Sequence, residues 1–300
     1  MSAGTVPQTW TILSLINWGM EYLKERNLEN PRLNVELLLA HALNLTRVQL
    51  YTNFEQPLTR EELAHFKYFF QRRIQNEPLQ YILGETDFYG LKFFVDSRVL
   101  IPRPETEILV EEVLSICTTI SENKTINILD IGTGSGNIAI ALAKFCANVK
   151  VIAIDVSNDT LDVAKQNAKR NDVEDKIQFF QENILLSPTT NLQTQTFDVI
   201  VSNPPYISQR EFEMLQPEIK NFEPHIATTD NADGYSFYHK IAEVGKNLLI
   251  ENGIIFVEVA YNQSNEVKRI FSIAGYGNVR SIKDYNGHER VVVMHSRLKD

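Results

Sequence analysis

The chain has 300 residues, 43% of them hydrophobic and 22% charged, which is the composition of an ordinary globular protein with one large or two modest domains. Its net charge of −9 argues against a basic nucleic-acid groove over the whole surface and does not exclude a local basic patch. The only cysteines, Cys117 and Cys146, have neither metal-ligand nor redox spacing, so we expect no metal site and a reducing compartment.

The start of the chain, residues 1–5, has neither the basic stretch nor the apolar core of a secretion signal. No uninterrupted apolar run is long enough to span a bilayer. We therefore expect a cytoplasmic protein that does not bind membranes.

Residues 8 to about 80 have the spacing of helices and no strand pattern. Asn30 before Pro31 marks one helix start, and the capping box Thr59-Arg60-Glu61-Glu62 marks another. We predict a bundle of about four helices in residues 1–84. An apolar stripe at helical spacing consists of Ile12, Leu15, Ile16, Gly19 and Leu23. The aromatic residues predicted for the core of the bundle are Trp10, Trp18, Phe66, Phe69 and Phe70.

Two arginines, Arg72 and Arg73, end the last long helix of this bundle. They either interact favourably with the helix dipole or face an anionic partner. The residues alone do not decide between these two interpretations.

Residues 85–104 are predicted to form a hairpin and a proline-rich connector between two domains. The segment Ile101-Pro102-Arg103-Pro104-Glu105-Thr106-Glu107 is expected to be rigid and extended, because two of its residues have a fixed φ. It is interpreted as a hinge or a strap at the edge of a site, with a plain linker as the alternative. A helix is expected to follow at residues 108–117.

From residue 125 strands alternate with helices, which predicts an α/β fold with a doubly wound, mostly parallel sheet in residues 105–300. The expected strands are residues 126–131, 149–156, 176–182, 197–202 and 254–260, with a closing hairpin of residues 279–283 and 290–295. The expected helices are residues 137–147, 160–170, 235–250 and 263–274.

A glycine-rich loop, Asp130-Ile131-Gly132-Thr133-Gly134-Ser135-Gly136-Asn137, ends the first of these strands. Glycine lets the backbone turn tightly and approach a ligand closely, although this pattern alone could be a structural turn. Asp155 ends the next strand, 19 residues after Gly136, where a carboxylate can accept both hydroxyls of a ribose. Together they predict a nucleoside site formed by Gly132, Thr133, Gly134, Ser135, Gly136 and Asp155.

The acid that precedes the loop, Asp130, favours a cationic amino-acid group over a pyrophosphate, and S-adenosylmethionine carries such a group. Asn183, at the end of the third strand, is predicted to contact the adenine amine through its side-chain oxygen. Ile184 would then pack beside the ring. A simple loop role for these two residues is the alternative.

The fourth strand ends in Asn203-Pro204-Pro205-Tyr206. Two prolines cannot donate backbone hydrogen bonds, and Pro204 disfavours helical dihedrals at Asn203, so the strand stops there. Ligands bind at the carboxyl ends of strands in open α/β sheets. A planar nitrogen group is expected here, hydrogen-bonded by Asn203 and the Pro204 carbonyl and stacked on Tyr206. An ordinary strand-ending turn is the alternative.

With these motifs the chain resembles the class I S-adenosylmethionine methyltransferases that modify planar nitrogens. The order of helical bundle, hairpin, Arg-Pro-Glu-Thr-Glu strap, glycine loop and Asn-Pro-Pro-Tyr, over nearly the whole chain, is similar to the HemK-type protein-glutamine methyltransferases. The resemblance implies a seven-stranded Rossmann-like methyltransferase sheet and an N-terminal bundle that recognises the substrate.

The implied reaction is methylation of the glutamine in the Gly-Gly-Gln motif of class-1 peptide-chain release factors. Asn203, Pro204 and Tyr206 would be catalytic, Pro205 would also contact the substrate, and Asn203 would also touch the cofactor. A monomer without stable nucleic-acid binding is expected. The alternatives are glutamine methylation of a ribosomal protein, amino methylation of DNA adenine or RNA guanine, and a non-catalytic nucleoside-binding adaptor.

Overall fold

The computed structural model describes residues 9–120, 124–186, 192 and 194–296. The chain divides into two compact units, Met1–Gly84 and Glu85–Asp300. Residues 1–5, on which the expectation of a cytoplasmic protein partly rests, lie outside the described residues. No helix within the described ranges is long and apolar enough to cross a membrane.

The first unit is helical, as predicted, and the predicted stripe from Ile12 to Leu23 is the buried face of its first helix. The predicted capping box is also confirmed, because Thr59 Oγ1 accepts a hydrogen bond from the Glu62 N–H and Glu62 Oε2 accepts one from the Thr59 N–H. The helices described in this unit are α1 (Ile12–Lys24), α2 (Pro31–Leu43), α3 (Arg47–Thr52), α4 (Arg60–Ile74) and α5 (Leu79–Leu83).

The two arginines at the end of α4 have partners inside this unit, and the interpretation that they face an anionic partner is wrong for the buried Arg73. Arg72 Nη2 lies 2.5 Å from Glu77 Oε1. Arg73 is buried and donates a hydrogen bond to Asn34 Oδ1 at 2.6 Å. Trp18 also departs from its predicted core position, because 43% of its surface is exposed.

The second unit begins with the predicted hairpin, an antiparallel pair formed by β1 (Glu85–Phe88) and β2 (Leu91–Phe94). The prediction of an extended segment after it is wrong for the second proline, because Pro104–Thr106 form one turn of 3₁₀ helix. Proline suits the first position of a helix, where its missing N–H is not needed. This turn leads directly into α6 (Glu107–Ile120).

The core of the second unit is the predicted doubly wound sheet, and the described residues contain seven strands of it. In spatial order these are β5 (Ile177–Gln181), β4 (Val149–Asp155), β3 (Ile126–Ile131), β6 (Phe197–Ser202), β7 (Leu249–Glu258), β9 (Glu289–His295) and β8 (Gly277–Lys283). The first five run parallel, and β9 is antiparallel to both of its neighbours.

Helices cover both faces of this sheet. The helices described after α6 are α7 (Asn137–Phe145), α8 (Asn158–Arg170), α9 (Gln209–Phe212), α10 (Pro217–Phe222), α11 (His225–Thr228), α12 (Ser236–Leu248) and α13 (Ser264–Ala274). One apolar core joins α12 and α13 to Leu129, Ile131, Ile154 and Ile200 of the sheet. The alternate residues of the same strands are buried on the opposite face, where α7 contacts α6 and α8.

The largest difference between a predicted and an observed boundary is at the start of β7. Leu249 and Ile250 were expected to end a helix, but they begin β7, where Leu249 pairs with Phe197. In the strand order of the sheet, β3 lies beside β6. After β3 the chain continues to β4 on one side, and after β6 it continues to β7 on the other side. Such a switch point opens a crevice at the carboxyl ends of the strands, where the predicted motifs lie.

Candidate active site

The glycine-rich loop leaves β3 with its backbone in the left-handed region at Gly132 (φ +73°) and Gly134 (φ +56°). A Cβ at either position would meet no atom within 4 Å, so the conformation and not the available space calls for glycine. The N–H groups of Gly132 and Thr133 donate to the Ile154 carbonyl, which fixes the loop to the end of β4. The loop is therefore held in place before any ligand binds.

Asp130 lies in β3, directly before the glycine-rich loop. Its side chain is fully buried, it accepts a hydrogen bond from Thr133 Oγ1 at 2.6 Å, and it is not among the residues that line the cavity beside the loop. Burial raises the pKa of this carboxyl to about 7. Asp130 therefore supports the loop from beneath, and its expected place close to the ligand stays a prediction.

Asp155 ends β4 and lines the cavity, as expected for a residue that holds a ribose. Its Oδ2 accepts from the Gly134 N–H and its Oδ1 from the Ser157 N–H, both at 3.1 Å. Burial raises the pKa of this carboxyl. Each oxygen of a carboxylate can accept a second hydrogen bond, so both hydroxyls of a ribose still find an acceptor here.

The cavity has a volume of about 250 Å³ and brings together most of the predicted site residues. Predicted residues that line it are Gly132, Thr133, Gly134, Ser135, Asp155, Asn183, Ile184, Asn203, Pro204 and Pro205. The Asn183 side-chain oxygen accepts from the Leu185 N–H at 3.0 Å, so this residue has a loop role while it faces the cavity. The described residues contain no cluster of His, Cys, Asp and Glu that could hold a metal ion.

Two predicted residues do not line this cavity. A Cβ at Gly136 would lie 2.9 Å from Ile140 Cδ1 and 3.2 Å from Ala164 Cβ, so the packing of α7 against α8 requires glycine there. Tyr206 packs against the core of the sheet, and its hydroxyl lies 3.5 Å from Glu258 Oε1. The expected contacts of these two residues with ligands stay predictions.

Asn203 stands at the cavity with a defined partner. Its Nδ2 donates to Thr106 Oγ1 at 3.1 Å, which leaves Oδ1 as the acceptor group of this side chain. Next to it, Ser202 Oγ donates to the Ile131 carbonyl at 2.8 Å and ties the end of β6 to the end of β3. The Asn203 side chain is therefore held by Thr106, and the strand end that carries it is held by Ile131.

Sequence reasoning missed the contacts that the strap makes. Arg103 lines the cavity, and its Nη2 lies 2.5 Å from Oε1 of the buried Glu223. The signal was present, since each of these charged residues adjoins a proline, in Pro102-Arg103-Pro104 and Glu223-Pro224. The contact supports the interpretation of this segment as a strap at the edge of a site.

Glu258 was also missed. It ends β7, is 2% exposed, and lies near Tyr206 and Arg290. Burial raises the pKa of its carboxyl to about 7, against the opposing effects of Thr106 and Arg290. A charged residue directly after the apolar run of residues 254–257 was the available signal.

Comparison with known proteins gives two family matches. The model of the PrmC N-terminal domain matches residues 14–84, and that of a methyltransferase domain matches residues 122–275. Among curated relatives, the release factor glutamine methyltransferase of Chlorobaculum tepidum is 39% identical and covers 94% of this chain and 96% of its own. The release factor glutamine methyltransferase of Geobacter sulfurreducens is 42% identical and covers 95% of this chain and 97% of its own.

Two further matches are a longer relative and a solved structure. A bifunctional methyltransferase of Rickettsia conorii is 37% identical over 94% of this chain and 57% of its own length. A solved methyltransferase structure from Pyrococcus furiosus has a TM-score of 0.52 and 22% identity, and covers 70% of this chain and 91% of that one. This structural match supports the fold alone, a Rossmann-like methyltransferase sheet.

Proposed function

The chain belongs to the family of release factor glutamine methyltransferases, and on that premise we propose which of its residues carry out the reaction. The chain transfers a methyl group from S-adenosylmethionine to a glutamine side chain of a release factor. We assign this glutamine to the Gly-Gly-Gln motif of class-1 release factors, as the order of motifs along the chain implies. The single observation that carries the residue roles is the cavity shared by the glycine loop, Asp155 and Asn203.

The residues of the cavity fit S-adenosylmethionine. Gly132 and Gly134 allow close backbone approach, and Asp155 retains one acceptor site on each carboxylate oxygen. The buried Ile184 provides an apolar wall beside the amide of Asn183. When bound, the cofactor supplies an electrophilic methyl group on a sulfonium.

The substrate amide is placed at Asn203 and Pro204. An amide nitrogen is a weak nucleophile, because its lone pair is delocalised onto the carbonyl. One N–H of the glutamine donates to Asn203 Oδ1 and the other to the Pro204 carbonyl, which raises electron density on nitrogen and fixes its direction. Alignment of the nitrogen with the methyl group contributes more to the rate of transfer than a strong base would, and we assign no general base.

The two neighbouring prolines make this arrangement stiff. Pro204 and Pro205 both line the cavity, and neither has an N–H that could compete for the acceptor groups. Tyr206 is assigned to hold the plane of the amide. Its ring packs against the core, and its hydroxyl lies near Glu258. A bound amide that rotated out of its plane would therefore meet a side chain that is held in place.

The N-terminal unit is proposed to recognise the release factor. The chain is acidic overall, and its extra unit is a compact helical bundle, which suits a folded protein better than a phosphate backbone. We propose that the enzyme acts as a monomer in the cytoplasm and forms no stable complex with nucleic acid.

Parallel incubations with labelled S-adenosylmethionine test this function. Purified class-1 release factor, ribosomal subunits and duplex DNA are offered separately, with a release factor in which asparagine replaces the glutamine of Gly-Gly-Gln as the matched control. We expect label only in the unaltered release factor. Label in nucleic acid, in a ribosomal protein or in the control would refute the assignment, and no label in any arm would favour a non-catalytic adaptor.

A further inference from the structure

The far end of the Asn-Pro-Pro-Tyr segment, residues 203–206, is held by a buried glutamine. Gln263 lies directly before α13, is 5% exposed, and donates through Nε2 to the Tyr206 carbonyl oxygen at 2.8 Å. Its side-chain oxygen accepts from the Ala260 N–H at 3.3 Å. A backbone N–H only donates and a backbone carbonyl only accepts, so these two partners fix which end of the Gln263 amide faces each of them.

The backbone of Gln263 is fixed in the same turn. Its N–H donates to the Ala260 carbonyl at 3.0 Å, and its own carbonyl accepts from the Val267 N–H in the first turn of α13. Gln263 therefore offers the Tyr206 carbonyl a donor whose position is set by the turn that begins this helix.

A glycine leaves the space that this contact needs. Gly234 has φ +88°, and a Cβ at this position would lie 2.5 Å from the Tyr206 carbonyl oxygen and 2.9 Å from Gln263 Nε2. Its N–H donates to both carboxylate oxygens of Asp230 at 3.0 Å, which fixes this turn in place. Any other residue at position 234 would push apart the two groups that form the hydrogen bond.

The contact with the Tyr206 carbonyl bears on the proposed acceptor groups for the substrate. The segment leaves β6 at Ser202, whose hydroxyl is hydrogen-bonded to the end of β3, and Pro204 and Pro205 have a fixed φ. Because the segment is short and stiff, fixing both of its ends restricts the torsions that remain between them. The direction of the Pro204 carbonyl and the position of the Tyr206 ring then depend on the contact with Gln263.

We propose that Gln263 is a positioning residue for methyl transfer that anchors the Tyr206 end of the Asn-Pro-Pro-Tyr segment, and that Gly234 provides the space for this anchor. The inference rests on the proposed function of Pro204 and Tyr206 toward the glutamine amide. Gln263 does not line the cavity beside the glycine loop, so it acts on the substrate through the backbone of Tyr206.

The first test removes the donor in single-turnover methylation of a class-1 release factor, with cofactor and release factor saturating. Gln263→Met keeps the length of the side chain and removes both polar groups. Its rate, measured well below its Tm, should be about tenfold below the parental rate, the effect of one lost hydrogen bond. Affinity for S-adenosylmethionine, measured by calorimetry, should be unchanged. A parental rate in Gln263→Met would overturn the proposal.

The second test restores the donor by protonation. Gln263→Glu keeps an acceptor for the Ala260 N–H, but its side chain donates to the Tyr206 carbonyl only when it is protonated. Its rate relative to the parent at the same pH should therefore rise as the pH falls from about 9 to about 6. A relative rate that stays as low as that of Gln263→Met down to about pH 6 would overturn the role of the donor.

The surroundings of position 263 favour titration of this carboxyl within that range. The titratable residues that share a surface pocket with Gln263 are Arg210, Glu211, Asp233 and Tyr235. Burial and the two acids raise the pKa of a carboxyl at this position, and the arginine lowers it.

The third test needs no change at Gln263. Gly234→Ala places a methyl group against the Tyr206 carbonyl, whereas Gly287→Ala imposes similar backbone strain, at φ +84°, where a Cβ meets no atom within 4 Å. A misplacement of about 1 Å costs about 100-fold in rate, so Gly234→Ala should be slower by about tenfold or more while Gly287→Ala keeps the parental rate. Equal rates in the two variants, or a loss that disappears at saturating S-adenosylmethionine, would overturn the proposal.

An Asn203→Ala variant separates failure of this inference from failure of the proposed function. A parental rate in Asn203→Ala would refute the proposed role of the segment itself. A slow Asn203→Ala, together with parental rates in Gln263→Met and Gly234→Ala, would refute only the anchor.

Discussion

Replacement of Asp155 by alanine should weaken S-adenosylmethionine binding by a predictable amount. Each carboxylate oxygen already accepts one backbone N–H, from Gly134 or Ser157, and so has room for one ribose hydroxyl. At most two hydrogen bonds to the ligand are lost. At about 0.5–1.5 kcal/mol for each, the loss is about 1–3 kcal/mol, which is an increase in Kd of about 5- to 150-fold.

Isothermal titration calorimetry with S-adenosylmethionine measures this change directly. The matched control is Asp159→Ala, which removes the same charge four residues further on, at an exposed position that does not line the cavity. The control should bind as the parent does. An unchanged Kd for Asp155→Ala, or an equal loss in the control, would show that Asp155 does not hold the ligand.

Three further predictions concern catalysis and stability. Asn203→Ala should lower the single-turnover methylation rate about 100-fold or more, the effect of a lost preoriented contact, with little change in cofactor affinity; a parental rate would contradict the mechanism. Gly136→Ala should lower the Tm more than Gly275→Ala, since both have positive φ but only Gly136 has close neighbours at the Cβ position; equal shifts in calorimetry would contradict the packing argument. At Glu36, burial acts to raise the pKa, but hydrogen bonds from Tyr51 and two arginines outweigh it and hold the pKa below 4.5. This stabilisation is present above the pKa of the unfolded chain and is lost as the pH falls through the pKa of the folded protein. Denaturant titrations between about pH 3 and pH 7 should therefore show a smaller loss of unfolding free energy at low pH for Glu36→Gln than for the parent.

The sheet and the main site motifs follow from the sequence because they depend on local patterns. Strands β3, β4, β6 and β7 of the parallel part contain apolar runs, and the glycine loop, Asp155 and Asn203 each follow such a run. The carboxyl ends of parallel strands meet at one edge, so motifs far apart in the chain converge there. Hydrophobic period and chain direction are sufficient for that prediction.

Other contacts could not be predicted because they join distant residues through folded geometry. Asn203 and Thr106 are 97 residues apart, and Arg103 and Glu223 are 120 apart. The position of Asp130 depends on which face of β3 it occupies, and its neighbour Ile131 belongs to the opposite core. The start of β7 at Leu249 depends on pairing with Phe197, which overrides the helical pattern before it.

The order of β3, β6 and β7 in the sheet has a consequence for how the active site forms during synthesis. Asn203 directly follows β6, which is held on one side by β3 and on the other by β7, the strand that carries Glu258. Parallel pairing between distant segments forms slowly, because the intervening chain must close first. A nascent chain that has emerged only to Asn203 has the glycine loop and Asp155 but lacks β7. The ability to bind the cofactor can therefore precede the ability to transfer the methyl group.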